Sequence, residues 1–267
     1  MILEQPLRQE DPTMSNSTSI RAGLMLALIV ASSSCGGTGL GGPTSGLGGT
    51  AMTRTGDDTY IEINDPKGVN GTRAWSIDAQ GDLIGSYDDA KMVRHGFFWR
   101  DGKFTTVDDP HAGRGKPGRL PEGTTLYDIN SSGIITGRYI NSDHADRSCI
   151  LRDGKFTPLN DPAAGRGRGR GTQADGINDE GDVVGDYGDA NFNVHGFVLH
   201  DGIYTTIDAP HAEHGRGVGT HAMGINDNGD IVLHTQPLKQ IFKGYLLSDG
   251  RFKRLSDPQG SLGTVLN

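Results

Sequence analysis

Arg114, Lys116 and Arg119, then Arg166, Arg168 and Arg170, then Arg216, crowd into glycine-rich stretches of a 267-residue chain whose net charge is -8. Guanidinium forks grouped in this way match carboxylate, phosphate or sulfate groups, so these stretches point to an anionic partner. Two carboxylates, Asp128 and Asp175, stand where other copies of an internal repeat have small or different residues. Glycoside hydrolysis needs two carboxyls in one pocket. These two sit one position apart in the repeat, so they need not face the same way, and no catalytic residue is assigned. The Asn-Asp-x-Gly-Asp runs suggest calcium, which takes six or more oxygen ligands. One copy, Asn130-Ser-Ser-Gly-Ile134, has no acid at all, and tight-turn chemistry explains the rest. His95 and His195 are replaced by Arg147 and Lys243 in sister copies, which suits a packed imidazole rather than a metal ligand. His111, His211, His214 and His221 lack zinc spacing. No metal or cofactor is expected.

These residues are positioned by a repeat. Ile77-Asp-Ala-Gln-Gly-Asp-Leu-Ile-Gly85, Ile129 to Gly137, Ile177 to Gly185 and Ile225 to Leu233 are four copies of one motif, offset by 52, 48 and 48 residues. Each is followed at fixed distance by an Asp-Gly pair (Asp101, Asp153, Asp201 and Asp249 with the glycine after each), then by Pro110, Pro162, Pro210 or Pro258. From proline to the next motif glycine the spacing is 15, 23, 19 and 19 residues. All variation in length therefore falls in the segment that carries the cations.

Each copy reads as four short strands, here a to d. The a strand (Ala174–Asn178) turns through Asn-Asp-x-Gly into b (Asp182–Gly185). The c strand (His195–Leu199) turns through Asp-Gly, a type I′ signal, into d (Tyr204–Asp208). Strand c is apolar on both faces, as in Phe97-Phe98-Trp99, and should be covered on both sides. Ser76, Gly176 and Gly224 share one position of strand a, which suits close approach near a crowded centre. Pro158 in strand d places d at an outer edge, since proline cannot donate to a ladder. The expected fold is all-β, a small β-propeller of four or five four-stranded blades, with a β-solenoid or stacked irregular sheets as the alternative. Tyr60-Ile-Glu-Ile-Asn64 is a fifth copy of strand d.

The N-terminus reads as an address. Residues 1–34 form a signal segment, of which 1–13 look like an upstream extension ahead of Met14. A ten-residue apolar stretch, Ala22–Ala31, ends on Ser32-Ser-Ser-Cys35, too short for a comfortable permanent span. The pattern is that of a bacterial lipobox with Cys35 as the lipidated residue, although Ser32 stands where Leu is usual; plain secretion is the alternative. Residues 35–57 read as a glycine-rich flexible linker. Residues 58–267 read as the β-repeat domain, with units near 67–110, 111–162, 163–210 and 211–258. Cys149 stands where other copies have Phe or Tyr and reads as a small buried hydrophobe.

The combination of Gly-Ile-Asn-Asp-x-Gly-Asp-Ile-Val-Gly, His-Gly-Phe and Asp-Gly-x-Phe-Thr-Thr-Ile-Asp resembles the HAF-type extracellular repeat of bacteria over residues 60–258. That resemblance implies an exported β-repeat module and supplies no catalytic residues. A pI near 5.5 excludes nucleic acid as a non-specific partner, because that binding needs a broad basic surface. The expected function is a binding or scaffolding module, held at the membrane only by its N-terminal lipid, with the Arg-rich loop face contacting an anionic glycan or protein. A polysaccharide-active propeller enzyme and a structural envelope protein are the alternatives. The oligomeric state is not encoded in any pattern of the chain.

Overall fold

The computed structural model describes residues 52–55, 58–115, 122–142, 146–166, 170–238 and 242–255, with side chains from residue 61 onward. It is all-β. A two-stranded sheet, β1 (Met52–Thr55) with β2 (Asp58–Ile61), precedes four antiparallel meanders of four strands each. Unit 1 holds β3 (Thr72–Ile77), β4 (Leu83–Asp88), β5 (Arg94–Arg100) and β6 (Lys103–Val107). Unit 2 holds β7 (Gly123–Ile129), β8 (Ile135–Ile140), β9 (Asp146–Arg152) and β10 (Lys155–Leu159). Unit 3 holds β11 (Gly171–Ile177), β12 (Val183–Gly188), β13 (Asn193–His200) and β14 (Ile203–Ile207). Unit 4 holds β15 (Val218–Ile225), β16 (Ile231–Gln236), β17 (Lys243–Ser248) and β18 (Arg251–Leu255). β1 lies inside the segment read as linker; its Met-Thr-Arg-Thr sequence has the β-branched content of a strand rather than of a glycine tether.

Local chemistry fixes each meander. The Asp-Gly turns have both central residues at positive φ, for example Asp201 at 48° and Gly202 at 76°, as a type I′ turn requires. In the a–b turns a side-chain oxygen closes the loop on itself. Asn130 Oδ1 accepts the Ser132 and Ile134 amides, and Asn226 Oδ1 accepts those of Asn228 and Asp230. The fourth strand of every unit pairs only with the third, so Pro158 sits on an outer edge.

The first strands lie side by side along the array. Each carries a β-bulge, centred on Trp75, Tyr127, Asp175 and Met223 in turn. A Cβ built on Gly176 would come within 2.8 Å of Gly224 Cα, the close approach that small residues at this position imply. The a–b turns are stapled from unit to unit. Asn130 donates to the Asn178 carbonyl at 3.0 Å, Asn178 to the Asn226 carbonyl at 3.4 Å, and the Asp179 amide to Asp227 Oδ1 at 2.9 Å. Apolar cores sit at the seams between units, as in the cluster of Leu159 with Ala174, Ile177, Val183, Tyr187 and Phe197. Stability in such an array is built from nearest-neighbour interfaces.

The seams are of two kinds. Between units 1 and 2, β5 pairs in parallel with β7, and between units 3 and 4, β13 pairs in parallel with β15. Among the described residues β9 and β11 make no such pair, which leaves two eight-stranded sheets. The difference shows at the glycine that opens each first strand. A Cβ on Gly123 or Gly219 would fall 1.8 Å from the carbonyl oxygen across the seam, whereas on Gly171 it would be 3.5 Å away. At this glycine the seam between units 2 and 3 is the wider.

Candidate functional site

At the start of strand c, units 1 and 3 build the same polar clamp. His95 Nδ1 lies 2.7 Å from Asp108 Oδ2, its Nε2 lies 3.6 Å from Asp89 Oδ2, and the ring stacks on Tyr87 at 4.9 Å. His195 repeats this with Asp208 at 2.9 Å, Asp189 at 3.6 Å and Tyr187 at 5.1 Å. These are packed imidazoles held between two acids. Unit 2 keeps the backbone and changes all three side chains. Arg147 replaces the histidine, and Asn141 and Asn160 replace the two aspartates. At these three positions unit 2 thus has a cation and two neutral amides where the sister units have a histidine and two acids.

This altered clamp opens on the wide seam. A groove of about 470 Å³ is lined by Arg147 and Asn160 on one side and by Gly165, Arg166, Gly171 and Thr172 on the other; Asp161 also reaches it. Asp161 Oδ1 accepts the Ala163 amide at 2.7 Å. Arg147 donates one bond to the Asp146 carbonyl at 3.0 Å. Neither Arg147 nor Arg166 has a carboxylate partner among the described residues.

The loop cations expected to act together are partly assembled. Arg170 precedes unit 3 and Arg216 precedes unit 4, yet both guanidiniums lie over the Phe192 ring, at 3.9 and 4.5 Å from its centroid. Arg170 also donates to the Arg166 carbonyl at 3.3 Å. Phe192 comes from the b–c loop of unit 3 at a φ of 67°, a loop the sequence reading passed over. Arg114 is exposed in the loop before unit 2. Lys116, Arg119, Arg168 and Cys35 lie outside the described residues.

Asp128 and Asp175 do not share a pocket. Asp128 accepts the Ser76 hydroxyl at 2.6 Å with one oxygen and the Ile177 amide at 3.0 Å with the other, pinning three units together. Burial raises its carboxyl above the ordinary range, against those hydrogen bonds. Asp175 is instead part of a buried polar chain that crosses the seams. Arg138 donates to Asp146 and to Gln173, each at 3.1 Å, and Gln173 donates to Asp175 at 3.0 Å. Asp186 contacts His221 at 2.7 Å, and His221 stacks on His234 at 5.1 Å. Burial, then the neighbouring Asp186 charge, push the Asp175 carboxyl far up. Burial opposes charge on His221, but its bond to Asp186 and the fields of Asp186 and Asp175 prevail and raise it. Among the described residues no cluster of three metal-ligating side chains occurs.

The signal for this chain was present in the repeat. Ser86, Arg138, Asp186 and His234 occupy one position of strand b, and Arg73, Thr125, Gln173 and His221 one position of strand a. Two positions that hold a different polar residue in every copy of an otherwise repeated motif are where units were individualised. Cys149 is buried as expected, its thiol pushed up to about 12 by burial.

No protein-family model matches the chain, and no curated protein matches it. Among solved structures it is similar to AofleA from Arthrobotrys oligospora, at 13% identity over 79% of this chain and 66% of that chain, with a TM-score of 0.47. It is also similar to a lectin of Aleuria aurantia described as a six-bladed β-propeller with a novel fucose recognition mode (13% identity, 77% and 70% coverage, TM-score 0.41). A third is SapL1 lectin in complex with α-methyl fucoside (14% identity, 72% and 66% coverage, TM-score 0.39). The chain spans about two thirds of the length of these proteins, and four complete units are described in it, against six blades in the Aleuria lectin.

Proposed function

We propose that this chain is an exported, membrane-tethered β-repeat binding module of the HAF-type kind, lipidated at Cys35 and built as a small propeller of four or five blades. Its loop side binds an anionic glycan. The observation that carries the reading is the convergence of Arg170 and Arg216 on Phe192. Two loops from different units bring two cations to one aromatic ring, and neither guanidinium has an acid partner among the described residues. On a protein of net charge -8, such a patch concentrates field where the rest of the surface repels anions. Phe192 holds the two guanidiniums close to one another by cation–π contact, and paired forks of this kind suit the carboxylate of a sugar acid.

The full chain should bind polygalacturonate more tightly than neutral dextran, and added salt should weaken the binding. The double variant Arg170→Ala/Arg216→Ala should lose about tenfold in affinity, roughly 1.4 kcal/mol. Equal binding by variant and parent, measured by calorimetry at low salt, sinks the reading.

A further inference from the structure

The groove at the wide seam carries a more specific reading. We infer that the unit 2–unit 3 groove is a carboxylate subsite, in which Arg147 and Arg166 hold the acid group of a single uronic-acid residue. This rests on the proposal that the loop side contacts an anionic glycan, and it names the group that is selected.

Three independent observations converge. The clamp of units 1 and 3 is an acid–base–acid sandwich, and in unit 2 both acids have become amides while the base has become a permanent cation. Each change moves the local charge in the same direction, toward acceptance of an anion. The second observation is geometric. Among the described residues β9 and β11 do not pair as β5 with β7 and β13 with β15 do, and the groove lies beside Gly171, where the backbones stand further apart than at Gly123 or Gly219. The third is the charge count of the lining. Arg147 and Arg166 supply two positive charges and Asp161 one negative. Two lining guanidiniums against one lining carboxylate favour an anionic ligand, with the Arg147 charge acting also on the Asp146 carboxyl. Arginine presents a planar fork to a planar carboxylate, with Asn160 and Thr172 beside it for hydroxyls. A volume of about 470 Å³ is in the range of small-ligand sites.

The test uses the full chain with methyl α-D-galacturonate as probe, and methyl α-D-galactoside and inorganic phosphate as controls. Asn160→Asp restores the acid that units 1 and 3 carry on the same backbone, so the variant is expected to fold, which its circular dichroism and urea midpoint check. The galacturonate should bind the parent, and Asn160→Asp should weaken it about tenfold, a single-charge effect. The neutral galactoside should bind weakly and equally to both. Equal galacturonate binding by parent and variant overturns the subsite. So does no binding to the parent, or phosphate binding more tightly than galacturonate. The two proposals separate cleanly. If Arg170→Ala/Arg216→Ala leaves polygalacturonate binding unchanged while Asn160→Asp still weakens methyl galacturonate, the loop patch fails and the groove stands. If the loop variant weakens the polymer but Asn160→Asp has no effect on the monosaccharide, the reverse holds.

Discussion

Units 2 and 3 have one backbone and two chemistries. Unit 3 keeps the repeated pattern: His195 lies between Asp189 and Asp208, Phe197 fills the core, and β13 pairs onward to β15. Unit 2 substitutes Arg147-Ser148-Cys149 for His-Gly-Phe and, among the described residues, does not pair onward. The substitutions are coordinated. Ser148 Oγ accepts the Ala174 amide at 2.8 Å across the seam, a contact its glycine counterpart cannot make. Unit 2 thus replaces a backbone junction by a side-chain contact and leaves a groove beside it. The array separates holding from displaying. The hairpins hold every unit alike and turn staples join units 2, 3 and 4, while side chains at the seams vary.

The largest effect should come from the part the units share. A Cβ on Gly185 would lie 1.9 Å from the Gln173 carbonyl oxygen, and on Gly137 of unit 2 the corresponding distance to Thr125 is 2.6 Å. Both are impossible without backbone movement, but the looser unit has less to undo. Gly185→Ala should cost about 3 kcal/mol, in the range of severe overpacking, and Gly137→Ala about half that. Urea denaturation of the full chain reads both. Equal losses would mean that unit 2 is no more relaxed than unit 3.

A smaller, pH-dependent effect should come from the polar chain that joins the two units. The folded-state pKa of Asp175 is raised, to about 7, so its carboxyl is protonated in the native state while the unfolded chain has already ionised. This group therefore lowers stability as pH rises from about 4 through 7. His221 is raised as well; its contribution is complete below its unfolded value and is lost as pH climbs through its folded one. Both act in the same sense, so the urea midpoint should fall between pH 5 and pH 8. Asp175→Asn should flatten that fall, recovering on the order of 1 kcal/mol at pH 8 and little at pH 5. A parent whose midpoint rises over that interval contradicts the assignment.

Much of this was legible in the sequence because it is local. The Asp-Gly dipeptides dictate type I′ hairpins, Pro158 dictates an edge, and small residues at the Gly176 position allow the first strands to crowd. The seam was not legible, because the pairing of β5 with β7, against its absence between the described residues of β9 and β11, goes with a shift of under 2 Å at one glycine in backbone that reads alike in all copies. Nor was the polar chain. Arg138 meets Gln173, and Asp186 meets His221, across 35 residues in each case, a spacing set by how far one unit's second strand lies from the next unit's first. Phe192 was missed for the opposite reason. It stands in a loop where unit 1 has Met92, also at positive φ, and only the fold brings two arginines over it.

The finest test of the comparison weighs the two clamps against each other. Removing His195 leaves Asp189 and Asp208 without the ring that bridges them and strips the stack on Tyr187, so His195→Ala should cost about 1 kcal/mol. Among the described residues Arg147 forms no ion pair with an acid; its one described bond goes to the Asp146 carbonyl in its own strand. Arg147→Ala should therefore change stability by no more than about 0.5 kcal/mol in either direction. The two variants, compared by thermal melting at pH 7, ask whether the residue at this position works for the fold or for something outside it. If Arg147→Ala costs as much as His195→Ala, the guanidinium is a structural clamp in another form. If it costs nothing, unit 2 has freed a cation from structural duty, and the groove beside it is where that cation acts.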